Sequence, residues 1–307
     1  MASNQPEPQS DEWSDWLLHG RHAGDPDLAR ALRVGLERCA DRVLDAAELG
    51  AGMTLADIGA GDGLIAFRAI ERVGPSLRVL LTDISRPLLR HVEEAAERLG
   101  VRGQCSFHHG NAETLAAIDD MSVDVVTTRA VLAYVGNKSA ALREFHRVLK
   151  PGGRISIAEP ILRDEAIAVS GLKIQLDACP PGQHDPLIPL LYRWKAAQFP
   201  DTAEKIANSP IANYSERDLV RFVQECGFTE IHMEFHIDVS PQLNTSWDTF
   251  IDSSPHPWAP PLSAILADQF TAEERLIFEQ AFRPLVGAPK STAISRIAYL
   301  TAKKPLG

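Results

Sequence analysis

Asp57 followed by glycines at every second position, Gly59, Gly61 and Gly63, is the stretch of this 307-residue chain best suited to chemistry. Glycine is needed where the backbone takes positive φ or must lie against a ligand with no side chain between. The run stands between a short, mostly apolar segment, Thr54 to Ile58, and a segment with helical spacing of apolar residues, Leu64 to Val73. It reads as a strand, a turn and a helix start, with a ligand under the turn. A second acid, Asp83, closes the apolar run Leu77 to Asp83, twenty positions beyond Gly63. That is close to the separation at which a carboxylate on the neighbouring strand reaches ribose hydroxyls. Asp83 also suits a helix cap before Arg86 and Pro87.

The departures from a dinucleotide fingerprint narrow the ligand. Its third small position falls on Leu64, and Asp62 stands where a pyrophosphate would sit and would repel it. A ligand with a nucleoside at one end and positive groups at the other fits better: Asp57 faces an ammonium, the glycine backbone runs beside an amino-acid moiety, and Asp83 binds the ribose. S-adenosylmethionine is such a ligand. Asp57 to Gly63 resembles, residue for residue, the acidic-x-Gly-x-Gly-x-Gly loop of the class I S-adenosylmethionine-dependent methyltransferases, here of the small-molecule type. The run Arg147-Val-Leu-Lys-Pro-Gly-Gly-Arg154 is similar to that family's turn before its fifth strand, where Pro stops a helix and two glycines make the reversal. The resemblance extends from about Leu55 to Pro160.

S-adenosylmethionine is the cofactor the resemblance implies, held by Asp57, Gly59, Ala60 and Gly61 in the loop and by Asp83 and Ile84 after the second strand. Asn111 and Ala112 occupy a turn that in the family often reads Gly-Asp-Ala-Glu; the Asn111 amide oxygen can still accept from the adenine amino group. Arg21 belongs to an N-terminal helical cap of the kind that lies over the cofactor in related enzymes. It is either the partner of the methionine carboxylate or a surface arginine beside Trp13 and Trp16. Arg129, at the carboxyl end of a central strand where open α/β sheets bind ligands, would hold that carboxylate or an anionic substrate. The same strand end lacks the Asn/Asp-Pro-Pro-aromatic run of enzymes that methylate amino groups of nucleic-acid bases or glutamine.

Alternating strand and helix patterns must carry these residues, which predicts an α/β fold: a Rossmann-like, seven-stranded, mostly parallel sheet with a helical N-terminal cap and lid insertions. The expected division is a cap over 1–50, a cofactor-binding core over 51–160, a lid insertion over 161–213, core again over 214–239, a second lid insertion over 240–290, and a final core strand over 291–307. After Thr54 to Ile58 and Leu77 to Asp83, strands are expected at Cys105 to His109, Val123 to Thr127, Ile155 to Glu159, Thr229 to Val239 and Ile294 to Ala302. Both insertions are rich in proline and aromatic residues, more than a surface loop requires.

In-line displacement at a sulfonium methyl requires a water-free site that aligns the reacting atoms, and two insertions over one crevice suit that task. Tyr134, Trp194 and Trp258 are expected to bind the acceptor. His256, between Pro255 and Pro257, is either a rigidly held base or a loop histidine packed on Trp258. Glu159, Tyr134 and His184 are further candidates by position.

The net charge of -10 and pI near 5.5 oppose a broad nucleic-acid or anionic-membrane surface. No segment has the apolar length of a membrane span, and the polar start from Met1 to Glu12 is unlike a signal, so cytoplasmic residence is expected. Cys39, Cys105, Cys179 and Cys226 are scattered, which predicts reduced thiols rather than disulfides or a zinc site, and no other spacing suggests a metal. The expected function is methyl transfer from S-adenosylmethionine to a small-molecule acceptor in secondary-metabolite or cofactor biosynthesis. Alternatives are a nicotinamide-dependent reductase and a protein that binds the cofactor without methyl transfer. The oligomeric state stays open.

Overall fold

The computed structural model describes residues 9–180, 183, 185–288 and 291–307. Helices α1 (Glu12–Leu18) and α2 (Pro26–Ala47) precede the sheet. Asp25 accepts from the N–H groups of Asp27 and Leu28, and Pro26 takes the first helical position, so α2 starts where its sequence signal stands. Seven strands follow among the described residues: β1 (Thr54–Ile58), β2 (Arg78–Asp83), β3 (Cys105–His109), β4 (Val123–Arg129), β5 (Leu149–Pro160), β6 (Thr229–Pro241) and β7 (Thr292–Lys303). They form one sheet in the order β3-β2-β1-β4-β5-β7-β6. Neighbours from β3 through β5 are parallel, and β7 runs antiparallel to both β5 and β6. The fold is the mostly parallel α/β sheet expected.

Parallel neighbours need crossovers, and α3 (Leu64–Val73), α4 (Arg86–Arg98) and α5 (Lys138–Val148) supply them. On one face α2, α3 and α4 bury Val43, Ile65 and Val92 against Leu55, Val79 and Leu81. On the other, Leu142, Phe145 and Val148 pack on Ile58, Val126 and Ile155. Central strands covered on both faces explain the adjacent apolar residues Val79 to Leu81 in β2 and Val125 and Val126 in β4. The strand boundaries fall within a residue or two of expectation except at β5. β5 begins at Leu149, paired with Val123, and passes through a register shift before Arg154 pairs with Val125. The Lys-Pro-Gly-Gly run therefore continues the strand as an irregularity. A Cβ on Gly153 would lie 2.9 Å from the Asp124 carbonyl oxygen, so no larger residue fits without movement.

The first insertion holds α6 (Arg163–Ala178), α7 (Leu187–Ala196) and α8 (Ala203–Asn208). Helix α9 (Glu216–Glu225), opened by a Ser215/Asp218 capping box, returns to the sheet. The second holds α10 (Trp247–Asp252), α11 (Leu262–Gln269) and α12 (Ala272–Phe282). Though separated in sequence, the two join: Leu190 of α7 is buried with Leu262, Ile265, Phe270 and Phe278. Trp194 meets Phe250, Phe278 and Phe282 edge to face at 6.1, 5.6 and 5.8 Å. Arg193 bridges to Glu274 at 2.5 Å across the same seam. Among the described residues no helix is long and apolar enough to cross a membrane.

Candidate functional site

The three loop glycines have φ of +69°, +55° and +79° at Gly59, Gly61 and Gly63, all in the left-handed region where a side chain is strained. A Cβ on Gly59 would lie 2.3 Å from Val131 Cγ2, and one on Gly63 would lie 2.5 Å from the Phe67 ring and 2.6 Å from Val92. The outer glycines thus admit close packing of the loop on its neighbours, a reason beyond the ligand contact expected from sequence. Gly59 and Ala60 donate to the Thr82 carbonyl at 2.7 and 3.0 Å, which ties the loop to the end of β2. Asp83, at that end, accepts from the Gly61 N–H at 2.9 Å and from the Ser85 N–H at 2.8 Å. Burial pushes its carboxyl pKa up, and the two N–H donors oppose that shift.

A cavity of about 210 Å³ lies over this loop. Gly59, Gly61, Asp83, Ile84, Asn111 and Ala112 line it, together with Arg129. Its roof is the cap: Trp13, Trp16 and Leu17 at helical spacing on α1, then Arg21. The cap is stitched to the second insertion, with Trp16 Nε1 donating to the Ser254 carbonyl at 2.9 Å and Thr249 Oγ1 donating to Asp25 at 3.0 Å.

The buried polar atoms near the loop that lack well-aligned partners include one on a carboxyl and one on a guanidinium. Asp57 Oδ1 accepts from Thr127 Oγ1 at 3.0 Å, whereas Oδ2 has no well-aligned donor, the backbone N–H of Ala66 in the first turn of α3 being the group that faces the carboxyl. Burial raises the Asp57 carboxyl to about 7. Arg21 Nε is buried without a partner, and burial followed by the nearby Arg129 charge lowers its pKa. A zwitterionic amino acid complements both atoms, so the residues present fit the amino-acid end of S-adenosylmethionine. Asp57 itself does not line the cavity and would act from behind the loop. Asp62 is answered within the chain by Arg33 at 2.9 Å.

Several expected residues sit elsewhere or are already engaged. Ala60 turns into the core, 6% exposed, with its N–H bonded to Thr82, so it has nothing to offer a cofactor. Asn111 Oδ1 accepts from the Glu113 N–H at 2.9 Å, which leaves its second lone pair for an adenine. Glu159 is fully buried and accepts from Thr128 Oγ1 at 2.7 Å and from the N–H groups of Val131 and Ala133 at 3.0 and 3.2 Å. It clamps the exit of β4, including Ala130 at φ +57°, and is no base. Tyr134 lines the cavity, and burial raises its phenol pKa, so it serves as a donor rather than a base. Trp194, expected on the acceptor pocket, lies inside the lid because the register of α7 turns it toward Phe278. His184 lies outside the described residues.

Trp13, Tyr134 and Trp258 form a trio of edge-to-face rings with centroids 5.2, 5.8 and 5.2 Å apart. Trp13 and Tyr134 line the cavity, whereas Trp258 lines an open cleft of about 630 Å³ beside it, with His256 and Phe199. His256 is 2% exposed, and its Nε2 lies 2.8 Å from the Gln198 carbonyl. Neither Gln198 nor Thr127 carries a local sequence signal for these roles.

Residues 49–195 match the family model described as a methyltransferase domain. Over those residues the chain is similar to methyltransferase domains. It is also similar to the ubiquinone/menaquinone biosynthesis C-methyltransferase UbiE of Enterobacter sp. (strain 638), with 34% identity over 129 residues, 42% of this chain and 51% of that protein. The chain therefore spans about half the length of the curated relatives it matches. Among solved structures, YcgJ of Bacillus subtilis superposes with a TM-score of 0.55 at 18% identity, covering 88% of this chain and 99% of that one. The MccD protein gives 0.53 at 17% identity, covering 88% and 98%. At such identities the likeness concerns the fold of the methyltransferase domain.

Proposed function

We propose that the chain transfers a methyl group from S-adenosylmethionine to a small organic acceptor bound beneath the lid. The observation that carries this reading is a buried carboxyl oxygen, Asp57 Oδ2, and a buried guanidinium nitrogen, Arg21 Nε, left without well-aligned partners near a glycine loop that is bonded to Asp83 through the Gly61 N–H. Bound there, S-adenosylmethionine supplies a sulfonium methyl group for in-line displacement. Arg21 holds the carboxylate, with Arg129 adding positive charge, and Asp57 acts on the ammonium from behind the loop. The outer lone pairs of Asp83 take the ribose hydroxyls, and Ile84, Ala112 and Asn111 bound the adenine. Trp13, Trp16 and Tyr134 exclude water, which strengthens each of these contacts. On the acceptor side Trp258 walls the cleft and His256 is the base. The relatives named for C-methylation in quinone biosynthesis support a cyclic, hydrophobic acceptor in a biosynthetic reaction. The overall negative charge supports a small acceptor rather than nucleic acid, and cytoplasmic residence fits such a role.

Calorimetric titration with S-adenosylhomocysteine tests the cofactor site, and mass spectrometry of reactions with S-adenosylmethionine and hydroxylated ring compounds tests the transfer. Binding of NADPH in place of S-adenosylhomocysteine would turn the reading to a reductase. Cofactor binding with no S-adenosylhomocysteine formed across the acceptor panel would turn it to a binding protein.

A further inference from the structure

The cleft beyond the aromatic trio is lined by a histidine, one of whose ring nitrogens the fold leaves without a partner. The Gln198 carbonyl can only accept, so the 2.8 Å contact places the hydrogen of the His256 ring on Nε2. Burial holds the ring below the usual histidine pKa, so it is neutral, and Nδ1 then bears a lone pair. Nδ1 is buried with no hydrogen-bond partner. The ring cannot easily turn to find one. Pro255 and Pro257 flank it, Ser254 Oγ lies 2.9 Å from its carbonyl oxygen and 2.5 Å from that of Ala259, and the Phe199 ring packs on it at 5.2 Å. Gln198, which sets the tautomer, is itself held by Nε2 donating to the Pro260 carbonyl at 3.0 Å. Both segments belong to the lid, one to each insertion, so the tautomer exists only where the insertions meet.

We infer that this cleft is the acceptor subsite and that it selects a neutral ring compound bearing a hydroxyl group, whose O–H donates to His256 Nδ1. This rests on the methyl-transfer reading and deepens it. Phe199, Ile211 and Trp258 supply apolar walls for the ring, while a histidine fixed as an acceptor rewards a donor and offers nothing to an ether or carbonyl oxygen. Trp258 touches Trp13 and Tyr134, which line the cofactor cavity, so the cleft adjoins that cavity.

The test uses 1-naphthol and 1-methoxynaphthalene, which share a ring system and differ in the donor, titrated against full-length protein by tryptophan fluorescence. 1-Naphthol should bind at least tenfold more tightly, and the gap should vanish in His256→Phe. In nitrogen-15 spectra of wild-type protein, His256 Nδ1 should be unprotonated when free and should shift with 1-naphthol alone. Equal affinities in the wild type, a gap that persists in His256→Phe, or a protonated Nδ1 in the free protein would each overturn the inference. The wild-type spectra decide if the variant does not fold. Neither probe needs methyl transfer, so a failure of S-adenosylhomocysteine to bind would sink the cofactor reading separately from this one.

Discussion

In the sheet core, Asp57, Gly59 and Asp83 stand at the ends of adjacent strands, and a local pattern of residues places each of them. In the lid, Gln198 and His256 come from insertions on either side of α9 and β6 and meet only after both have folded. The core builds its site from short-range turns and parallel register, which tolerate little change; the lid builds its own from an aromatic seam around Trp194 and Phe278. On the proposed reading, cofactor binding sits on the first kind of structure and selection of the acceptor on the second.

The largest expected effect tests whether the lid is a separate unit. Phe278→Ala empties the lid centre and should cost about 3–5 kcal/mol of lid stability, read as faster hydrogen exchange in α7 and α12. S-adenosylhomocysteine affinity should stay within about threefold, a gap under ~1 kcal/mol. Equal loosening of β1 and β4 would break the contrast. Gly59→Ala attacks the core instead: a left-handed Ala costs about 1–2 kcal/mol, and overpacking on Val131 adds about 1–3 kcal/mol. Urea unfolding should show a loss of that total size, with cofactor binding gone.

Asp83→Ala removes charge-assisted hydrogen bonds worth about 1.5–3 kcal/mol, so calorimetry should show S-adenosylhomocysteine bound at least tenfold more weakly. Unchanged affinity would remove Asp83 from the site.

The next effect depends on pH. Asp57 keeps its proton up to about 7 in the fold against 3.8 for a free side chain. Between those values the native state holds more protons than the unfolded chain, so the stability Asp57 contributes is present at low pH and is lost as pH rises through about 7. An ammonium at Oδ2 favours the carboxylate. Binding should therefore release a proton below that pH and weaken by up to about tenfold per pH unit. Calorimetry in buffers of different ionisation heat measures this, and Asp57→Asn should abolish it. The smallest effect has the opposite sign to the Gly59 change. Gly171 lies within α6 with open space around it, and Gly171→Ala should stabilise the lid by about 0.5–1 kcal/mol in thermal unfolding.

Strand and helix patterns, caps and the loop spacing determine the core from sequence alone because each acts over one or two turns of chain. Asp25 before Pro26, the Ser215/Asp218 box and the run from Asp57 to Gly63 all mark what the structure contains. Residue type also singled out Arg21, Asp83, Tyr134, Trp258 and His256. Tertiary structure alone decided what these groups do. Glu159 and Tyr134 have the chemistry of candidate bases, yet burial and the surrounding donors make one a clamp and the other a donor. Trp194 and Trp258 look alike in sequence, but helix register sends one into the lid and leaves the other on the cleft. The reason is physical: propensity and spacing are properties of neighbours along the chain, whereas desolvation and hydrogen-bond partnership are set by segments that meet only in the folded molecule.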